Sequence, residues 1–238
     1  MKNVRKTWFR YFLPLALLLS VVIFLCARCN SSEESLHQND AQMDVQETVD
    51  EIPTIVFPYD MERGRLSVNS LFQSDVPNPD KDFEEGKNLA TIELVNKSDQ
   101  YLLYADVVLT LADGTERKFR IEDLPAGKKV WAFELANISI ESEADCVNIS
   151  CTAEFSETAS DWNTRFQAAT DVALVTITNL TDETMTDLEA TFHCLMEDTY
   201  FGGRSYKYSI EELLPNSSAQ LEVFECLFGD AEVVLIGP

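Results

Sequence analysis

The sequence predicts an all-β protein, two tandem β-sandwiches carried behind one N-terminal transmembrane helix. Three observations support this. A cluster of cations is followed by a long apolar run without charge. The remainder of the chain repeats itself at a constant offset. Each copy is a series of short alternating segments separated by turn residues, with no helical period.

Residues 1–10, with Lys2, Arg5, Lys6 and Arg10, read as a cytoplasmic tail, and 11–28 as the transmembrane helix. The uncharged run 11–27 covers about 26 Å at 1.5 Å per residue, close to the thickness of a hydrocarbon core. Cations on the N-terminal side orient the helix with everything after Arg28 across the membrane. The expected location is therefore the cell membrane, single-pass, with the C-terminal region extracytoplasmic. A cleaved secretory signal and an acylated lipoprotein Cys are the alternatives. Both want a small residue where Leu25 or Arg28 stands.

Residues 29–52 are polar and acidic without apolar period, as expected of a disordered stalk. The five early cations stay on the other side of the bilayer, leaving 13 of the 18 basic residues against all 41 acidic ones, a net charge of −28. Such a surface stays soluble and is a poor match for nucleic acid, which is excluded as a partner.

The globular copies are expected over 53–145 and 146–238. At an offset of 83, Phe72 matches Phe155, Phe83 matches Phe166, and Asn96-Lys97-Ser98-Asp99 matches Asn179-Leu180-Thr181-Asp182. After a six-residue insertion in the second copy, Ile121 to Pro125 matches Ile210 to Pro215, and Phe133-Glu134 matches Phe224-Glu225. Side chains change face at every strand residue, so parity is the stronger signal. Ala90, Ile92 and Leu94 correspond to Ala173, Val175 and Ile177. Leu103, Ala105, Val107, Leu109 and Leu111 correspond to Thr186, Leu188, Ala190, Phe192 and Cys194, one face apolar throughout except Thr186. Val130 and Ala132 match Leu221 and Val223. Asp113-Gly114 marks a hairpin, and Pro125 and Pro215 punctuate the approach to a later strand.

A strand ending in Asn (TIELVN, VTITN), a Ser/Thr-Asp turn, an alternating strand, Asp-Gly, then Leu-Pro and a strand ending in Phe resembles the FxLYD family of bacterial surface repeats. The resemblance covers 63–238 loosely and 90–134 best. It implies immunoglobulin-like or fibronectin-like sandwiches in an exported, anchored setting, and supplies no catalytic residues. It also points to bacteria, where the six N-x-S/T sequons at Asn30, Asn96, Asn137, Asn148, Asn179 and Asn216 have no glycosylation role.

Cys194 and Cys226 replace Leu111 and Leu135 of the first copy, the pattern left by a disulfide between neighbouring strands in an oxidising compartment. Cys146 and Cys151 on one strand stand about 16 Å apart, too far to bond without a turn. His193, opposite in face to its neighbours, reads as a sheet-surface residue, and no metal site is expected because only two His occur in the chain. Asp80-Lys81-Asp82-Phe83-Glu84-Glu85 has alternate acids like a calcium loop. It lacks that loop's Gly and terminal Glu, and reads as a solvated acidic loop. No cofactor motif and no nucleophile-base pattern stands out, so no catalytic residue is assigned.

The insertion carries the most specific asymmetry. Tyr200, Phe201, Arg204, Tyr206 and Tyr208 concentrate aromatic and cationic groups on a loop, the material of recognition surfaces. The competing reading is a longer hairpin whose tyrosines pair across strands. Trp131 is a second candidate contact, or else covers the join between the copies. The expected function is a membrane-anchored, non-catalytic binding or structural module whose partner is a protein or glycan. An accessory or sensor subunit acting through its membrane helix is the alternative, and a hydrolase using surface carboxylates comes third.

Overall fold

The computed structural model describes residues 54–142, 146–156, 161–226 and 229–238. The expected tail, membrane span and stalk lie outside the described residues, among which no helix is long and apolar enough to cross a membrane. The described chain is all-β apart from two 3-10 turns and one four-residue helix, α1 (Trp162–Arg165).

The first half contains β1 (Tyr59–Met61), β2 (Leu66–Ser74), β3 (Leu89–Asn96), β4 (Tyr101–Leu111), β5 (Glu116–Leu124), β6 (Lys129–Phe133) and β7 (Cys146–Ser156). The second contains β8 (Phe166–Asp171), β9 (Leu174–Asn179), β10 (Met185–Met196), β11 (Thr199–Phe201), β12 (Tyr206–Leu213), β13 (Ser218–Glu222) and β14 (Asp230–Gly237). Within the first half the strand orders are β2-β3-β6 and β5-β4-β7. Within the second they are β8-β9-β13 and β12-β10-β14. Both sets share one connectivity, with the first, second and fifth strands of each set in one sheet and the third, fourth and sixth in the other. The expected boundary at 145/146 separates β7 from its partners. Its hydrogen bonds to β4 from Tyr101↔Ser156 to Leu111↔Cys146 place it with the first half.

Each set encloses its own apolar cluster. Leu66, Val68 and Leu71, then Ala90, Ile92 and Leu94, meet Leu102, Ala105, Val107 and Leu109 with Phe119 and Ile121 from the other sheet. In the second half Phe166, Val175 and Ile177 meet Leu188, Ala190, Phe192, Ile210 and Val233. Burying such side chains stabilises by about 1.5–3 kcal/mol each, which is why the period-2 pattern is so legible.

That pattern slips in β4 and in β10, where the sequence places the wrong residue inside. Leu103, expected inside, is exposed, and Leu102 is buried in its stead. A bulge lies between Leu102 and Tyr104, adding one residue and turning the strand's first side chains to the other face. The second half changes face at the matching place without an added residue: Asp187 has a positive φ and is left out of the pairing, so Met185 points inward and Thr186 outward. Other corrections concern register. Ala132 pairs with Ile92 and Leu221 with Val175, so β6 and β13 correspond at an offset of 89 rather than 91. The two-residue shift preserves the face, and Trp131 corresponds to Gln220. Phe72 lies on β2 and Phe155 on β7, so those two are not equivalents.

Asn96 and Asn179, both fully buried, end the second strand of their sets and make the same five contacts. Asn96 Nδ2 donates to the carbonyls of Gln100, Leu124 and Pro125, and its Oδ1 accepts from Ser98 N and Oγ. Asn179 Nδ2 donates to those of Glu183, Leu213 and Leu214, and its Oδ1 accepts from Thr181 N and Oγ1. The N-x-S/T spelling at these positions is thus that of a turn in which a hydroxyl two residues on bonds the asparagine.

Candidate interaction site at the junction of the halves

The six-residue insertion becomes β11, which continues the β10 hairpin and then runs parallel to β6, pairing Tyr200 with Val130 and Phe201 with Trp131. Through it the sheet of β1, β2, β3 and β6 continues into that of β10 and β12.

The chain then turns through Gly202 and Gly203 against a buried carboxylate. Gly202 N donates to Trp131 O at 2.9 Å. Asp80 Oδ2 accepts from Phe133 N at 2.8 Å and Gly203 N at 2.9 Å, while Oδ1 accepts from Arg204 N at 2.9 Å. Gly203 returns a carbonyl bond to Glu122 N on β5. A Cβ on Gly203 would collide with the Arg120 carbonyl, so this close approach requires glycine. Asn78 aims the carboxylate, with its Oδ1 accepting from Asp80 N and its Nδ2 reaching Glu134 O. The sequence reading of a solvated acidic loop is corrected for Asp80, which is 6% exposed, because the loop folds inward to satisfy three backbone donors. Burial pushes its carboxyl up to about 6; the three N–H donors pull the other way without prevailing.

His193 is likewise not a surface residue. It is fully buried, its Nε2 bonds Glu122 O at 2.8 Å, and its ring stacks on Tyr200 at 4.6 Å. Burial lowers its pKa, so the ring is neutral and Nε2 is the donor to that carbonyl. Ser205 Oγ and Tyr101 OH both donate to Asp123, at 2.7 and 3.3 Å, so the serine of the second half meets a carboxylate of the first. Lys128 Nζ reaches Glu232 at 2.8 Å, a further link between the halves.

The residues expected to meet a partner are distributed as follows. Tyr200 and Phe201 are buried, the latter edge-on to Phe133 at 5.1 Å, and so offer no side-chain surface to a partner. Arg204 is half exposed and ion-pairs with Asp82 at 3.1 Å. Tyr206 is half-buried against the second core. Tyr208 donates to Glu225 at 2.6 Å and packs edge-on to Phe192; burial and the carboxylate push its phenol up to about 12. Trp131 lies half-buried beside Phe72 with its Nε1 on Glu93, in the small cluster that Leu89, Phe133 and Phe201 form at the join. Sequence reasoning missed Asp80, Asn78, His193 and Asp123. The available signal for His193 was a run with both faces filled, since Thr191, Phe192, His193 and Cys194 are all buried.

Cys194 and Cys226 are joined, with Cα atoms 5.0 Å apart, tying β10 to the chain that follows β13. Cys226 falls two residues beyond the position matched to Leu135 by the register of β13, so the replacement pattern located the pair through an approximate alignment. Cys146 and Cys151 are free thiols on β7, both raised in pKa by burial. Among the described residues no group of three or more His, Cys, Asp or Glu could hold a metal ion. No protein-family model and no curated protein matches the chain.

Proposed function

We propose that the chain is a membrane-tethered, extracytoplasmic and non-catalytic module: two tandem immunoglobulin- or fibronectin-like β-sandwiches displayed on the acidic stalk 29–52 behind the span 11–27, binding a protein or glycan. The observation that carries this reading is the use made of the insertion. Tyr200 and Phe201 join the halves along β6, and a body of two joined modules suits display at the end of a tether better than turnover of a substrate. The disulfide supports an oxidising compartment. The paired asparagine corners give physical content to the likeness with FxLYD repeats, since the motif's Asn and Ser/Thr are the groups that bond one another.

Cells expressing the full chain provide the test. Protease added from outside should remove the part beyond residue 28 while leaving a membrane-bound stub, and alkylation in denaturant without reductant should modify Cys146 and Cys151, buried and half-buried in the folded chain, but not Cys194 and Cys226. A chain recovered from the cytosol with all four thiols alkylated refutes the reading.

A further inference from the structure

The likeness of the halves exposes one difference between them. On β6 the backbone groups of Trp131 and Phe133 point away from β3, and both are used: Trp131 O accepts from Gly202 N, and Phe133 N donates to Asp80. The counterparts on β13, 89 residues on, are Gln220 and Glu222. Ser217 O accepts from Asn179 N and Val223 N donates to Ala173 O, so the odd-numbered positions of β13 face β9. Alternation turns the N–H and C=O groups of Ser218, Gln220 and Glu222 outward. These three residues are exposed, and among the described residues no strand pairs with that edge.

The surroundings of the edge define what fits it. Leu214 and Phe224 bracket β13 and are 53% and 63% exposed, and Leu174, opposite Glu222, is 40% exposed. Three basic residues, Arg165, Arg204 and Lys207, stand against fourteen acidic ones in 161–238, and Arg204 and Lys207 are held in ion pairs with Asp82 and Glu189. Asp182, within reach of Asn216, and Glu222 stand at opposite ends of the strand. An open edge with apolar residues at both ends and uncompensated carboxylates around it complements an extended, cationic, aromatic segment.

We propose that the outer edge of β13 is a strand-accepting site, filled by an extended segment of a partner protein that carries aromatic and basic side chains. The chain's own residues 199–207, TYFGGRSYK, have that chemistry and fill the equivalent edge of β6. The proposal rests on the reading of the chain as a binding module and names its partner class.

The test uses the full chain in detergent micelles and a synthetic peptide of sequence TYFGGRSYK. Amide exchange should slow on peptide addition at Ser218, Gln220 and Glu222 and not at Ala219 or Leu221, whose amides already serve β9. Gln220→Pro removes one outward donor without touching the β9 ladder, and should weaken peptide binding at least about tenfold. Glu222→Lys, a surface change that leaves the backbone intact, should weaken it several-fold and flatten its dependence on salt. Three results overturn the site: unchanged exchange at the three amides, protection appearing at 129–133 because the peptide displaces β11, or self-association of the chain that covers β13 without peptide. Each leaves the surface-module reading in place, because that reading stands on protease access and thiol state.

Discussion

Asp80→Asn tests the junction through a pH dependence whose sign the structure fixes. The Asp80 carboxyl rises from 3.8 to about 6 because burial outweighs the help of three N–H donors. The folded protein therefore binds this proton more tightly than the unfolded chain does. The resulting stabilisation is full below about pH 4 and is lost as the pH rises through about 6. Two units at about 1.4 kcal/mol each give about 3 kcal/mol across that window. Asparagine has no proton to lose, so the variant lacks this contribution. Its amide nitrogen replaces one acceptor oxygen, and that cost is the same at every pH. His193 acts in the opposite sense: lowered by burial, it contributes stability above its ordinary 6.5 that is lost as the pH falls through its folded value. The readout is therefore the difference between wild type and variant, not either curve alone. Urea unfolding of both proteins from pH 4 to 7.5 should show wild type losing about 3 kcal/mol relative to Asp80→Asn as pH rises. A flat difference, or one that grows in favour of wild type at high pH, refutes the claim that burial governs this group.

Further outcomes follow from the same contacts. Asn96→Ala and Asn179→Ala each remove five side-chain bonds from a corner, including the side-chain donor to the Leu124 or Leu213 carbonyl, and each should cost about 2–4 kcal/mol in urea unfolding; a loss below about 1 kcal/mol for either would show that its corner is not structural. Replacing both Cys194 and Cys226 by Ala opens a loop of 32 residues and should destabilise by about 3–4 kcal/mol on the chain-entropy account, with unchanged stability counting against it. Gly203→Ala drives a methyl group into the Arg120 carbonyl, so amides 129–133 should exchange faster while those of β9 and β13 hold; identical exchange in both regions would refute the tight approach.

The apolar faces of β3, β9 and most of β4 and β10 were legible in the sequence because each alternate residue there is fully buried, and burial dictates residue type. The slips came where the backbone departs from strict alternation. Leu102 and Leu103 are both leucine, so composition cannot say which turns inward. Thr186, the one polar residue on an otherwise apolar face, was the visible trace of the backbone departure at Asp187 that leaves it outside. The junction was read less well. Tyr200, Phe201 and Arg204 stand out as candidates for a surface role, yet the acceptor for the turn that follows Phe201, Asp80, lies more than 120 residues earlier in a stretch whose composition resembles any solvated loop. Sequence periodicity reports a strand's own two faces; it carries no information on which distant loop supplies an acceptor for its turn.

The parallel seam between β6 and β11 also constrains inheritance. Cut from its neighbour, the amino-terminal half would be left with the Trp131 carbonyl on β6 bare, an Asp80 carboxylate that keeps Phe133 N but faces no donor from Gly203 or Arg204, and Phe133 without Phe201 over it. Recombination that moves one copy and abandons the other would therefore release a sticky fragment. Although the halves share one connectivity, the first is incomplete at this seam without the second, and the pair is a single, indivisible cassette in its backbone bonding.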